Sequence, residues 1–240
     1  MILFQAENEL YSCIDSVDPC PDPDYMQYVQ DQFRNAGIVV PYIVNDNNEG
    51  NFAPGQPAAV DIYGIDSYPL GFDCAYPYSW PVDGLITDLT ETHLNISALT
   101  PFSYIEFQGG SFDPWGGWGF AQCLELVNYE FERVFYKNNF ASAITIFSIY
   151  MTYGGTNWGN LGHPGGYTSY DYAAVIAEDR TVAREKYSEA KLLANFVEAS
   201  PAYITSTPGN LTNGTYTSTP ALSVTPLFGN GSATNFYVLR

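Results

Sequence analysis

The chain has 240 residues, 46% of them hydrophobic and 16% aromatic, enough for one large α/β domain with a substantial core. Its 26 acidic against 8 basic side chains give a net charge of −18, which repels phosphate backbones and anionic lipid, so neither nucleic acid nor a membrane surface is an expected partner. No run approaches the roughly 18 apolar residues of a membrane span, and with two histidines and no Cys-x-x-Cys spacing neither a metal site nor a cofactor is expected.

In chain order, residues 2–10 read ILFQAENEL, an apolar strand that runs into a Glu-Asn-Glu cluster. Asp22-Pro23-Asp24 is a helix start, with Asp as cap, Pro at the first helical position and an acid in the first turn. Met26, Val29, Phe33 and Ala36 continue it on one face, and Gly37 ends it. Ile38 to Val44 is a near-continuous apolar run, the pattern of a strand buried on both faces; Ala59 to Tyr63 is a second, and Ser103 to Ile105, closing on Glu106, a third. From Phe120, apolar residues at Cys123, Leu124, Val127, Phe131, Val134 and Phe135 predict one long helix; Ala143 to Tyr150 is the next strand, and a last helix spans about 183–199.

Strands alternating with helices predict parallel strands joined by crossovers. No Gly-x-Gly-x-x-Gly turn supports a nucleotide-binding sheet, which leaves the (β/α)8 barrel, an α/β fold with its site at the carboxyl ends of the strands. Glu9 and Glu106 each follow a strand and lie about three βα units apart at roughly 30 residues per unit, so they face one another across such a barrel. Two carboxyl groups meeting over a sugar can divide glycoside hydrolysis, one giving a proton to the leaving oxygen while the other attacks or activates water. The competing reading makes Glu7, Glu9 and Glu106 solvated acids at loop starts. Asn8, at the strand end, can turn inward and use its amide as donor and acceptor to a sugar hydroxyl.

The segments FQAENEL, DIYGIDSYPLGFDC, YIEFQGGSFDPWGG, IYMTYGGTNWG and HPGGYTSYDY, in this order, resemble the secreted fungal β-galactosidases of glycoside hydrolase family 35. The resemblance implies a catalytic (β/α)8 TIM barrel followed by β domains, and retaining cleavage of terminal non-reducing β-D-galactosyl residues from an oligo- or polysaccharide. It makes Glu9 the general acid/base, Glu106 the nucleophile and Asn8 a ligand of the galactose beside the anomeric carbon. Tyr150 and Tyr172 match tyrosines that contact the sugar, and Tyr68 is a candidate to orient the nucleophile. It pairs Cys74 with Cys123; a Cys13–Cys20 bridge would close a short surface loop. By the same resemblance the QAENE strand is the fourth of eight, so residues 1–200 are expected to be the C-terminal portion of the barrel, and 201–240 a linker and the start of a β-rich domain. The second function class is a truncated, non-catalytic remnant that at most binds galactosides.

Four Asn-X-Ser/Thr sequons, at Asn95, Asn210, Asn213 and Asn230, together with an even number of cysteines predict a glycosylated, secreted protein. Met1 is not followed by a charged and then an apolar leader, so the signal peptide is expected upstream of this chain. The full-length protein is expected to be a monomer.

Overall fold

Asp22 caps the first helix: its Oδ1 accepts from the backbone N–H of Asp24 and Tyr25, and Pro23, with no N–H to leave unpaired, opens α1 (Pro23–Asn35). Gly37, at φ +93°, ends it in a conformation that a Cβ disfavours. α1 buries Met26 as its spacing predicts, and also Gln30, whose Nε2 is satisfied by the Ala58 carbonyl at 2.8 Å.

The computed structural model describes residues 1–11, 20–82, 84–159, 161–162 and 165–240. They divide into two compact units, one of residues 1–67, 88–107 and 144–148, the other of 68–87, 108–143 and 149–240. The expected Cys13–Cys20 bridge involves Cys13, which lies outside the described residues.

Five strands form one sheet in chain order: β1 (Phe4–Gln5), β2 (Tyr42–Asp46), β3 (Ile62–Ser67), β4 (Ser103–Gln108) and β5 (Ile146–Tyr150). The first three pairs are parallel, as the strand and helix alternation predicts. Their boundaries differ from the apolar runs. Residues 38–41 stay outside the sheet, with Val39 86% exposed; the strand begins only after Pro41, and the Tyr42 N–H donates to Asp61 at 2.7 Å. At its other end β2 runs on through buried Asn45 and Asp46. The Asp46 carboxylate can be buried because it accepts from the N–H of Glu49 and of Gly50, each at 3.0 Å, from Asn51 Nδ2 at 2.9 Å and from the Tyr63 hydroxyl. β4 likewise continues past Ile105, so Glu106 sits inside the strand rather than after it.

Helix α2 (Leu89–Ser97), which carries Asn95, had no periodic signal strong enough to predict it. The long helix expected from Phe120 is broken: α3 (Phe120–Leu126) stops, α4 (Tyr129–Phe131) restarts under an Asn128 cap, and a π turn at Glu132–Tyr136 leads into α5 (Lys137–Ala141). The apolar spacing survives the breaks, because Cys123, Val127, Phe131 and Phe135 are all buried. Cys74 and Cys123 are joined in a disulfide.

The second unit also contains the short hairpin β6 (Gly155–Thr156) and β7 (Ser169–Tyr170), helix α6 (Glu185–Ala199) and an antiparallel sheet of β8 (Ser206–Pro208), β9 (Thr212–Asn213), β10 (Ser223–Gly229) and β11 (Phe236–Leu239). No helix among the described residues is long and apolar enough to cross a membrane.

Candidate active site

β1 ends at Gln5, and that early end decides what the Glu-Asn-Glu cluster does. Strand alternation would have put Glu7 and Glu9 on one face. Instead Glu7 turns back to α1, where the Tyr25 hydroxyl donates to its Oε1 at 2.6 Å, and Glu9 takes φ +51°, an uncommon left-handed conformation for a residue with a Cβ. The two glutamates are thereby separated.

Asn8 is held by its amide oxygen, which accepts from Gln5 Nε2 at 2.8 Å and from Asn45 Nδ2 at 3.1 Å. Its own Nδ2 is left to donate. Asn45 Nδ2 also reaches Glu106 Oε2 at 3.4 Å, so one buried amide on β2 ties Asn8 after β1 to Glu106 on β4. Only with its nitrogen on this side does Asn45 meet two acceptors; its oxygen is buried with no hydrogen-bond partner among the described residues.

A third carboxyl group joins the two that the sequence singled out. Asp66 on β3 lies opposite Glu106 in the ladder, beside a register shift between Ile65 and Asp66. The Tyr11 hydroxyl donates to Asp66 Oδ2 at 2.6 Å. Burial first, and then the charge of Glu106, raise the Glu9 carboxyl above its ordinary range, while Asp66 pulls the other way. Asp66 is pushed up to about 6, foremost by burial, against the lowering effect of Tyr11. Tyr11, Asn45 and Asp66 escaped the sequence reading; DIYGIDSYP contained Asp66, yet an aspartate after an apolar run is ordinary until its neighbours are known.

Tyr68, Tyr150 and Tyr172, the tyrosines expected at the site, belong to the second unit. Tyr150 and Tyr172 pack edge to face with ring centroids 5.2 Å apart, and Tyr170 joins them, its hydroxyl 2.9 Å from that of Tyr150 and its ring 5.4 Å from that of Tyr172. Tyr172 is buried at φ +58°, followed by Ala173 at φ +51°. Two successive left-handed residues with Cβ atoms need outside support. The Tyr172 carbonyl accepts from the Ser111 N–H at 2.9 Å, and a Cβ on Gly110 would lie 2.0 Å from that same oxygen, so only glycine fits there. Ala173 gives its N–H to Asp171 Oδ1 at 3.1 Å and its carbonyl to the buried Lys186 ammonium at 2.7 Å. The Tyr68 ring packs at a tilt against Phe72, centroids 5.1 Å apart. Asn95, Asn210, Asn213 and Asn230 are all exposed. Cys74, Asp113 and Cys123 bring potential metal-ligating atoms together, but the two sulfurs are spent in the disulfide and leave no thiolate.

The comparisons with known proteins point the same way. The β-galactosidase of Aspergillus niger is 59% identical over 242 residues, covering all of this chain and 24% of the relative. Probable β-galactosidase A of Aspergillus fumigatus is 61% identical over 99% of this chain, and β-galactosidase A of a Penicillium species 57% over its whole length, each again with 24% of the relative covered. The chain thus spans about a quarter of the length of the curated relatives it matches. Among solved structures, the FMN-binding β-glucuronidase of Facaelibacterium prausnitzii covers the whole chain and 37% of its own at TM-score 0.48 and 11% identity, too distant to bear on the fold. The family description Glycosyl hydrolases family 35 matches residues 1–197, and the chain belongs to that family.

Proposed function

We propose that these residues carry the chemistry of a retaining β-galactosidase acting on terminal non-reducing β-D-galactosyl residues of an oligo- or polysaccharide. The observation that carries the reading is the convergence, in one unit of a family 35 chain, of Glu9 and Glu106 with Asn8 and Asn45 between them. Glu106 attacks the anomeric carbon as a carboxylate while Glu9 gives its proton to the departing oxygen, so the glycosidic bond breaks as the ester forms. Water then loses a proton to Glu9 as its oxygen displaces Glu106 from the sugar, and both groups return to their starting states. Asn8 donates to the hydroxyl beside the anomeric carbon; Tyr150 and Tyr172 contact the sugar, and Tyr68 orients the nucleophile. The parallel sheet is read as barrel strands of a domain ending near residue 200, with 201–240 opening a β-rich domain. The sequons and the disulfide support a secreted glycoprotein.

An activated 2-deoxy-2-fluoro-β-galactoside tests the reading, because it forms the ester and hydrolyses it slowly. Mass spectrometry of the digested protein should find the fluorogalactosyl group on Glu106, and Glu106→Gln should abolish it. An adduct on another residue removes Glu106 from the nucleophile role; galactose binding with no adduct favours a non-catalytic, galactoside-binding chain.

A further inference from the structure

Along one path in the first unit, hydrogen-bond acceptors and donors alternate from the Glu7 carbonyl to the Glu106 carboxylate. The Glu7 carbonyl accepts from Gln5 Nε2 at 3.0 Å, and the same nitrogen donates to Asn8 Oδ1 at 2.8 Å. Asn45 Nδ2 donates to Asn8 Oδ1 at 3.1 Å and to Glu106 Oε2 at 3.4 Å. Each of these two nitrogens carries two hydrogens and spends one on each neighbour, and the Asn8 oxygen fills both of its lone pairs. An amide turned end for end keeps its shape, so its direction is set by groups along the path that have no choice. The Glu7 carbonyl is one, because a backbone C=O can only accept; an ionised Glu106 is the other. With acceptors fixed at both ends, Gln5 and Asn45 must each present NH2, and Asn8 must turn its oxygen toward them. The link to Glu106 is the longest of the four, so the Glu7 end sets the direction more firmly. The NH2 of Asn8, an exposed residue, is thereby left to give a hydrogen bond where it cannot receive one.

We infer that Gln5 is a positioning residue: it carries the polarity of the Glu7 carbonyl to the Asn8 amide and so makes Asn8 a donor, not an acceptor, to its ligand. The inference rests on the reading of Asn8 as the group that meets the sugar hydroxyl beside the anomeric carbon. Gln5 touches no substrate in this role and acts through Asn8 alone. At the far end of the path Glu106 meets an NH2 rather than an oxygen, which favours the carboxylate form that the displacement needs.

The direct test follows the side-chain amides of Gln5 and Asn8 by water-exchange NMR of the ¹⁵N-labelled chain at pH 7, with no turnover required. In the wild type the Asn8 NH2 should exchange as a free amide does and that of Gln5 roughly tenfold more slowly, a pattern that needs no substitution to observe. Gln5→Glu keeps the shape but replaces the donor by an ionised acceptor. A charge-assisted bond is about twice as strong as the neutral one from Asn45, so the Asn8 NH2 should turn inward and its exchange slow roughly tenfold. Gln5→Met removes the donor and offers no acceptor, so there the NH2 should stay outward. In turnover the readout is kcat/KM for nitrophenyl β-galactoside relative to its 2-deoxy analogue, which lacks the hydroxyl in question. That preference should fall roughly tenfold in Gln5→Glu and by less in Gln5→Met, with the 2-deoxy compound affected far less than the galactoside. An Asn8 NH2 protected in the wild type, an exchange rate indifferent to Gln5→Glu, or an equal loss of preference in the two variants overturns the inference. A wild type that neither labels with the fluorogalactoside nor binds galactose sinks the proposed function alone, because amide exchange still decides which way Asn8 is turned.

Discussion

Glu132 is buried in the π turn with neither carboxylate oxygen hydrogen-bonded among the described residues, and its pKa is pushed up to about 8. Burial is the main cause; the ammonium of Lys186 pulls it down and Glu189 adds to the rise. An acid whose folded pKa lies above its unfolded value gives stability that is complete below the unfolded value, near 4.5, and is lost as the pH climbs toward the folded one. Replacing it with neutral Gln removes that dependence. Each pH unit inside the window is worth at most about 1.4 kcal/mol, so between pH 5 and 7.5 the wild type should lose about 3 kcal/mol relative to Glu132→Gln. For a chain of this size that is a relative shift in melting temperature of about 6–12 °C. In the wild type Lys186, lowered to about 8 by burial, titrates mostly above this interval, and its own contribution rises only from about pH 8 toward 10.5. Calorimetric or fluorescence melts of both proteins at half-unit pH intervals suffice. Stability curves that run parallel from pH 5 to 7.5 would refute the reasoning, for they would mean that Glu132 is charged in the fold and satisfied by partners absent from this structure.

Three further outcomes follow from particular contacts. Loss of the Cys74–Cys123 bridge, which spans a sequence separation of 49, should lower stability by about 3–4.5 kcal/mol on the chain-entropy argument, and peptide mapping without reductant should recover the cross-linked pair; free thiols at both positions would contradict the pairing. Asp46→Ala orphans the Tyr63 hydroxyl and the N–H groups of Glu49 and Gly50, so a cost of about 3–5 kcal/mol is expected in urea titration, and a change under 1 kcal/mol would show that water replaces the carboxylate. Glu9→Ala should slow hydrolysis of galactosides with poor leaving groups far more than that of nitrophenyl galactosides, since a stable leaving anion needs no proton; equal losses on both would count against Glu9 as the acid.

What the sequence alone determined was local in origin. Asp22, Pro23 and Gly37 bound α1 because a cap, a ring without an N–H and a residue without a Cβ act within one or two peptide units. Short apolar runs marked all five strands of the sheet, and the motif segments around Glu9 and Glu106 carried the family. Only the tertiary structure decided where β2 and β4 end: Asn45 and Asp46 read as loop residues until the donors around Asp46 let its carboxylate be buried, and Glu106 lies within β4 rather than after it. It also broke the helix after Phe120 although the apolar spacing continued, since burial of Phe131 and Phe135 constrains a face and not the hydrogen-bond ladder behind it. Tyr11 meets Asp66 across 55 positions, and Asn45 meets Glu106 across 61. Separations of that length leave no periodic trace in the chain. They exist only because parallel strands carry residues remote in sequence to adjacent places, where charge, burial and hydrogen bonds can act between them.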